Sequence, residues 1–325
     1  MRSLPSFLLV VAAFVLAHAG IAHGQANYPN RPIQLVVTVP PGGAADIVAR
    51  VIGGKLSDAL GQPVLIVNRG GAGGTTAAAQ VAKSDPDGYT LLLNTIATHG
   101  IGPHIYANLP YDPEKDFAPV ILVVKLPLIM AVNAELPAQT VNNVIALAKT
   151  KPGELTFSSS GSGGAPHLAG ELFKSVTGTD LLHVPYRGSG PAVIDLIAGR
   201  ITMMFDATPS LLPHLVAGKL RPLAAASQQR HRLLPDVPSF AELGYPAIDI
   251  ALWYGVAVPG GTPVPIVQQL NAALAKILQM PDVRKTLMDQ GADVQGGSTE
   301  DFAAFMRNES ARWSAVVKGA GIRPE

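Results

Sequence analysis

Two glycine-rich segments contain the residue types that bind an anion through the backbone. Residues 40–46 read Pro-Pro-Gly-Gly-Ala-Ala-Asp, and residues 158–167 read Ser-Ser-Ser-Gly-Ser-Gly-Gly-Ala-Pro-His. Each segment leaves an apolar strand pattern and enters a helix pattern. Glycine lets the backbone approach a ligand closely, and the first N–H groups of a helix are unpaired at its positive end. The spacing predicts two loops that could hold a carboxylate. A plain turn capped by Asp46, and a flexible loop with a serine cap, remain the alternatives.

Two further segments are weaker candidates. Residues 68–75 superficially resemble a dinucleotide-binding fingerprint, but Thr76 stands where the third glycine would be needed, which favours a close-packed structural turn. Arg187 and Asp206 each follow a strand pattern in the second half of the chain. Arg187 could pair with a ligand carboxylate or with Asp206. Asp206 could accept a hydrogen bond from a ligand or cap the next turn, so these assignments stay open.

Patterns that would indicate catalysis or a metal site are missing. The chain has no cysteine, which excludes disulfides, thiolate metal sites and a cysteine nucleophile. Ser162 stands between glycines, but position 160 is serine, so no G-x-S-x-G motif forms. No histidines have the spacing of a metal-ligand pair. We therefore expect no catalytic residue, no metal and no cofactor. A secreted α/β hydrolase using a serine of residues 158–162 is kept as an alternative, although its nearest base, His167, follows the loop very closely.

The composition and the N-terminus indicate an exported protein without an excess of charge. Only 14% of the 325 residues are charged and the net charge is +1, which argues against a nucleic-acid-binding protein. Arg2 precedes an apolar run at residues 7–16 and a stretch of small residues, the pattern of a secretory signal peptide. We expect a signal peptide at residues 1–26, cleaved after Ala26 or, as second choice, after Ala19. The mature protein would then be periplasmic; a membrane anchor is the alternative.

Strand and helix patterns alternate along the rest of the chain. Strands are predicted at residues 33–39, 64–67, 91–93, 120–124, 128–132, 155–158, 182–186, 201–205, 220–226 and 249–258. Helices are predicted at residues 46–60, 75–83, 141–149, 168–178, 192–198, 211–217, 265–278, 283–290 and 299–317. This alternation predicts an α/β fold with parallel sheets, divided into two lobes with a cleft between them. We place lobe 1 at residues 27–125 plus 252–325 and lobe 2 at residues 126–251.

Many segments together resemble the substrate-binding receptors of the tripartite tricarboxylate transporter family, also called the Bug family. They include the motifs Tyr-Pro-x-Arg-Pro-Ile, Asp-Gly-Tyr-Thr-Leu and Val-Pro-Tyr-Arg-Gly, and they extend over essentially the whole mature chain. The matching segments are residues 28–33, 40–46, 67–74, 87–91, 163–168, 184–188, 205–206, 212–214, 234–238, 253–255 and 261–263.

The resemblance implies a two-lobed Venus-flytrap fold, of the type II-like periplasmic-binding-protein class, that holds a small organic carboxylate in its cleft. It also implies delivery of that acid to the membrane permease subunits of a tripartite transporter; a receptor that feeds a signalling partner is the alternative. We expect a monomer with no nucleic-acid partner, and the identity of the acid stays open. Carried over by position, the ligand-binding residues are Gly42, Gly43, Ala44, Thr95, Ala97, Ser159, Ser160, Gly163, Gly164, Ala165 and Asp206.

Overall fold

The computed structural model describes residues 28–319 and has a mixed α/β fold with two lobes. Residues 1–26, predicted as a signal peptide, lie outside this range, so that prediction stays a prediction. Within residues 28–319, no helix combines the length and the hydrophobicity that a transmembrane span requires. In the same range, no group of three or more metal-ligating side chains is placed to hold an ion.

The first lobe opens with three parallel strands whose carboxyl ends lie at one edge of a sheet. The central strand β1 (Ile33–Val37) pairs in parallel with β2 (Val64–Asn68) and with β3 (Thr90–Thr95). Helix α1 (Ala44–Leu60) follows β1, and helix α2 (Thr75–Ala82) follows β2. Since parallel neighbours end at the same edge, the loops that follow β1 and β3 lie side by side.

Helix α1 forms because apolar residues recur along one face. Val48, Ile52 and Leu56 are four residues apart and are almost completely buried, which is the spacing of a helix that packs against a sheet. The helix ends at Gly61, which has a φ of +66° and donates its N–H to the Ser57 carbonyl. Glycine is favoured there because this conformation is strained for other residues.

Strand β3 runs directly into a π-helix at Ile96–Ile101, which is followed by the short helix α3 (Gly102–Ile105). The start of the π-helix is closed by Thr95 and Thr98: each side chain accepts a hydrogen bond from the backbone N–H of the other. These bonds satisfy backbone groups that would otherwise be buried without partners. The connection places Thr95 and Ala97 at the carboxyl edge of the first sheet.

The second lobe repeats the arrangement of strand, loop and helix. Strand β5 (Thr156–Ser159) lies between β6 (Leu182–Pro185) and β7 (Met203–Ala207) and runs parallel to both, so their carboxyl ends share an edge. Helix α5 (Ala165–Thr177) follows β5. The other elements of this lobe are α4 (Val141–Thr150), α6 (Ser189–Ile197), α7 (Thr208–Val216) and β8 (Leu220–Ala225).

Two long strands connect the lobes. Strand β4 (Phe117–Asn133) pairs with β9 (Ala251–Pro259) as far as Pro127, and from Leu128 onward it pairs with β7 and β8. The sequence predicted two separate strands here, whereas the structure has one. Pro127 has no N–H to donate, but it lies where the strand changes partners, so the ladder continues past it. The lobe boundaries at 125/126 and 251/252 stay a prediction.

The C-terminal segment packs on the first lobe. It consists of α8 (Val264–Ile277), α9 (Pro281–Asp289), β10 (Asp293–Gly296) and α10 (Thr299–Gly319). Helix α10 lies against the π-helix and β4, and β10 pairs antiparallel with β4. Gly255 of β9 touches Phe302 of α10 so closely that a Cβ there would lie 2.0 Å from the ring, which explains the glycine at that position.

Most predicted elements are present with boundaries shifted by a few residues. The sequence patterns predicted neither the π-helix nor α3 nor β10, all of which are short and lack a clear apolar period. The sheets are also mixed rather than wholly parallel, because β4 and β9 run antiparallel to their neighbours. The α/β alternation and the two-lobed architecture are confirmed.

Candidate functional site

The loop after β1 opens helix α1 without a side-chain cap. Gly43 is the N-cap residue, with φ −86° and ψ 173°, and no side chain hydrogen-bonds to the helix start. Gly42 has a φ of +91°, in the left-handed region that favours glycine. Both glycines are exposed and Ala44 is half-buried. The first N–H groups of a helix have no intrahelical partner, so this accessible start can receive an external acceptor.

Asp46, in the first turn of α1, holds this loop in place through hydrogen bonds. Its carboxylate accepts hydrogen bonds from the Gly42 N–H at 3.0 Å, from Asn68 Nδ2 at 3.0 Å and from Arg50 Nε at 2.9 Å. Asp46 is therefore the third residue of the helix, where its side chain holds the loop. It is not the N-cap, which was the alternative reading of the sequence. The bond from Arg50 is the main reason that the pKa of Asp46 lies below its usual value. Because Arg50 balances the negative charge, Asp46 does not cancel the attraction of the helix start for an anion.

The loop after β5 opens helix α5 with nearly the same backbone geometry. Gly164 is the N-cap residue, with φ −85° and ψ 168°, and again no side chain caps the helix. Gly163 precedes it with a φ of +74°. Pro166 lies in the first turn, where its missing N–H removes no helical hydrogen bond. Gly163 and Ala165 are buried and Gly164 is half-buried. The two lobes thus present equivalent helix starts.

Neither N-cap glycine is required by its backbone conformation. The φ values of Gly43 and Gly164 are ordinary for any residue. A Cβ added to Gly43 would meet no atom within 4 Å, and one added to Gly164 would meet only atoms 3.7 Å away. There is therefore open space at the Gly43 helix start and room for a Cβ at Gly164.

A contact between the lobes brings the two edges together. Ile105, at the end of α3 in lobe 1, covers Gly163 of lobe 2 so closely that a Cβ on Gly163 would lie 2.0 Å from its Cδ1 atom. The Tyr106 hydroxyl lies nearby, 3.8 Å from that position and 2.6 Å from a Cβ built on Gly73, in the turn after β2. The loop after β5 therefore faces the carboxyl edge of the first sheet.

The remaining predicted positions near this edge differ in exposure. Thr95 is 5% exposed, and its hydroxyl accepts the Thr98 N–H, while Ala97 is half-buried. Ser160 is half-buried and its carbonyl accepts the Gly188 N–H at 3.1 Å. The structure thus brings Thr95 and Ala97 to the edge of lobe 1, and Ser160 to the edge of lobe 2. Their contact with a ligand stays a prediction.

Asp206 lies at the end of β7, beside the crossing between the lobes, and is opposite Ile129 in the register with β4. It is 2% exposed. Its Oδ1 atom accepts the Ala207 N–H at 2.8 Å, and its Oδ2 atom makes no hydrogen bond of normal geometry. Burial raises the pKa of Asp206 to about 6, an effect that the nearby hydroxyls of Ser189 and Ser210 partly oppose. Arg187 is exposed and does not pair with it.

Ser159 is placed differently from the glycines. It is fully buried, and its hydroxyl lies 3.0 Å from the Gly161 carbonyl and 2.7 Å from Nε2 of His183. This serine–histidine contact resembles part of a hydrolase site. Burial lowers the pKa of His183 to about 3, with smaller effects from His167 and Lys174. Such a weak base removes a serine proton poorly, and a fully buried hydroxyl is inaccessible to a substrate.

Sequence reasoning missed two groups of site residues. Ile105 and Tyr106 contact the other lobe through an unpredicted turn, and no local pattern marks them. His183 was not connected with Ser159, although the parallel register of β5 and β6 pairs Phe157 with His183 and Ser159 with Pro185. A prediction of strand pairing would have placed His183 on the same face as Ser159, because side chains two residues apart share a face.

Comparisons with known proteins agree with this geometry. A model of the tripartite tricarboxylate transporter family receptor matches residues 48–322. Protein BugT of Bordetella pertussis (strain Tohama I) is 39% identical over 319 residues, which cover 97% of this chain and 98% of BugT.

Solved structures are similar over the same length. R. palustris Rpa4515 with adipate has a TM-score of 0.87 at 39% identity, covering 92% of this chain and 100% of that protein. The periplasmic binding protein BugD has a TM-score of 0.84 at 32% identity, covering 92% of this chain and all of BugD. MatC from Rhodopseudomonas palustris with bound malate has a TM-score of 0.83 at 34% identity, covering 89% of this chain and 100% of MatC. The chain therefore belongs to the tripartite tricarboxylate transporter receptor family, whose relatives include the Bug proteins.

Proposed function

We propose that this protein is a periplasmic receptor that captures a small dicarboxylic acid between its two lobes. The observation that carries the proposal is the pair of helix starts, at Gly43 and Gly164, that have no side-chain cap. A helix start attracts a carboxylate through its unpaired N–H groups and its positive end. Two such starts, one in each lobe, suit a ligand with a negative group at each end.

The relatives support the same ligand class. Rpa4515 was solved with adipate and MatC with malate, and both ligands are dicarboxylates. The receptor would bind the acid with Gly42, Gly43 and Ala44 from lobe 1 and with Ser160, Gly164 and Ala165 from lobe 2. Ala97 would line the space between them. The buried residues Thr95, Ser159 and Gly163 would act by shaping the loops that carry these groups.

Asp206 would act on the acid directly only if opening of the lobes, beside whose crossing it lies, exposes its buried carboxyl. Its Oδ2 atom makes no hydrogen bond of normal geometry, although the Ser189 and Ser210 hydroxyls lie nearby, and an ionised carboxylate can only accept hydrogen bonds. Asp206 would then favour a ligand that carries a donor, such as a hydroxyl or ammonium group, over one with a third carboxylate. Closure over the bound acid would present both lobes to the permease subunits of a tripartite transporter.

Binding explains the site better than catalysis does. The serine–histidine contact near the loop joins a fully buried hydroxyl to a histidine that is a very weak base. No hydrogen bond within the described residues links the His183 ring to a carboxylate that could orient it, as a hydrolase requires. The same contact is explained as support for the loop.

A thermal-shift screen tests the proposal. The protein is unfolded and refolded to remove carried ligand, and then heated with adipate, malate and other small acids, each beside its amide. A ligand at 100 times its Kd stabilises the fold by about 2.7 kcal/mol, which raises Tm by a few degrees for a chain of this length. We expect shifts with one or more dicarboxylates and none with the diamides. Equal shifts with acids and amides, or none with any acid, would contradict the proposal.

A further inference from the structure

Two histidines and a phenylalanine form a stack of rings behind the lobe 2 binding loop, which comprises residues 159–164. The rings of His167 and His183 are parallel within 17°, with their centroids 3.9 Å apart. Phe157 stacks on both rings. Gly170 allows this packing, because a Cβ on it would lie 2.1 Å from the Phe157 ring. The stack joins β5, β6 and the first turns of α5 into one rigid unit.

Each histidine of the stack holds one part of the loop. Nε2 of His183 lies 2.7 Å from the Ser159 hydroxyl, which also contacts the backbone carbonyl and N–H of Gly161. Nδ1 of His167 accepts the Gly163 N–H at 3.1 Å. Gly163 immediately precedes the N-cap residue Gly164. The loop from Ser159 to Gly164 is therefore fastened at both ends by ring nitrogens.

The bond to Gly163 fixes the protonation of His167. Nδ1 must carry a lone pair to accept an N–H, so the ring proton lies on Nε2. Nε2 is 3.9 Å from Oε1 of Glu171, which is also paired with Lys174 at 3.0 Å. A second proton can reach His167 only at Nδ1, where it would face the Gly163 N–H and break that hydrogen bond.

We propose that His167 and His183 are positioning residues that latch the lobe 2 binding loop, and that a proton on His167 opens the latch and weakens ligand binding. The proposal deepens the receptor function given above and rests on it for its effect on affinity. It explains why two histidine rings pack against each other behind this loop.

The groups that face the pair make His167 the site of protonation. Burial, together with the charges of His167 and Lys174, lowers the pKa of His183 to about 3, so this ring stays neutral. Glu171 faces His167 from the next turn of α5 and would form an ion pair with its charged form. Tyr106 approaches the same loop from lobe 1 but is uncharged at neutral pH. A proton that enters the pair is therefore expected on His167, where Glu171 can pair with the charged ring.

Two substitutions separate the hydrogen bond from the titration. His167→Asn keeps an acceptor, Oδ1, near the position of Nδ1 but cannot be protonated. His167→Leu keeps the bulk and loses the acceptor. His214→Asn, on α7 of the same lobe, is the matched control. The Kd of adipate and of malate is measured by calorimetry between about pH 8 and pH 5, a range that brackets the usual histidine pKa.

Between pH 8 and pH 5 we expect the affinity to fall in all three proteins. The fall in wild type and in His214→Asn should be about tenfold larger than the fall in His167→Asn. His167→Leu should bind roughly five- to tenfold more weakly than wild type at pH 8. Titration of the ligand or of Asp206 affects all variants alike and cancels in the comparison. Parallel pH profiles for wild type and His167→Asn would overturn the proposal.

A second measurement needs no ligand, so it tests the role of the histidines independently of the receptor function. The amide resonance of Gly163 is followed by NMR in the free protein over the same pH range. It should move as its hydrogen bond to Nδ1 is lost in wild type, and stay still in His167→Asn. A Gly163 resonance that is insensitive to pH in wild type would overturn the latch, even if carboxylates bind. Failure of every dicarboxylate to bind, with a titrating Gly163, would overturn only the receptor function.

Discussion

At the scale of single residues, the candidate site depends on glycines, which have no side chain at the two helix starts. Gly43 and Gly164 have backbone angles that any residue could adopt, and neither is packed against a neighbour that would exclude a Cβ. Gly163, by contrast, has a positive φ and lies under Ile105. The fold therefore does not require a glycine at 43 or 164, as the proposed ligand contact would, whereas it does require Gly163.

Replacing either N-cap glycine should remove binding while the protein stays folded. Gly43→Val or Gly164→Val should cost about 1 kcal/mol of stability, since valine caps a helix less well than glycine. Each should weaken dicarboxylate binding by roughly 100-fold or more, about 2.7 kcal/mol, because the side chain occupies the carboxylate position. Calorimetry and thermal melts check both effects. Gly54→Ala, on the exposed side of α1, is the control and should leave binding unchanged; unaltered affinity in both valine variants would remove these loops from the site.

Asp206 should give the stability of the free protein a measurable pH dependence. Its folded pKa of about 6 lies above the usual value near 3.9. Between about pH 5 and pH 7.5 the folded carboxyl loses its proton while the unfolded one is already ionised, so this group lowers stability as the pH rises. The stability of Asp206→Asn relative to wild type should therefore be greater at pH 7.5 than at pH 5, by about 1 kcal/mol. Urea unfolding of both proteins at pH 5 and pH 7.5 measures the two free energies of unfolding. If the difference between variant and wild type is the same at both pH values, Asp206 does not titrate in this range.

At the scale of elements, a loop and the start of a helix must be held as one unit for the site to exist. Asp46 does this in lobe 1, where its carboxylate links the loop at Gly42, the end of β2 at Asn68 and the next turn of α1 at Arg50. The stack of His167 and His183 does it in lobe 2. The two lobes thus reach similar helix starts with different supports.

Loss of the Asp46 anchor should destabilise lobe 1. Asp46→Ala removes the acceptor of three hydrogen bonds, and we expect a loss of about 2 kcal/mol in the free energy of unfolding. Asp58→Ala, at an exposed position on the same helix, should change stability by less than about 0.5 kcal/mol. Urea unfolding measures both variants. Equal stability of the two would show that Asp46 does not hold the loop.

The sequence predicts the elements better than it predicts how they meet. The strand before each glycine-rich loop and the helix after it follow from apolar periodicity and from the glycines, because these signals are local. The π-helix after β3 depends on the reciprocal bonds of Thr95 and Thr98 and on burial under α10, which no local pattern encodes. The contact of Ser159 with His183 joins residues 24 positions apart and requires the strand register. The sequence therefore predicts where the two glycine-rich loops lie, but it does not predict the side chains that hold them in place.

At the scale of the whole molecule, the site is divided between two lobes joined at β4 and β9. Each lobe offers one helix start, so under the proposed function a dicarboxylate would gain its full set of interactions only when both lobes contact it. The short contact of Ile105 with Gly163 shows how closely the two edges approach each other. Ligand binding and lobe closure would then be one equilibrium.

A ligand should make the protein more compact in solution. Small-angle X-ray scattering of the refolded protein should show a smaller radius of gyration when saturating adipate or malate is added. Gly43→Val, which blocks the lobe 1 helix start, should show no change at the same ligand concentration. A radius of gyration that is the same with and without a ligand known to bind would indicate that the lobes do not close on it.

The most direct test of the account is a crystal structure of the protein with the dicarboxylate that binds it. We predict one carboxylate within hydrogen-bond distance of the N–H groups at Gly43 and Ala44, and the other at those of Gly164 and Ala165. The acid should lie in the space that the two N-cap glycines leave open. A ligand held by side chains of a single lobe, with both helix starts unoccupied, would contradict the account.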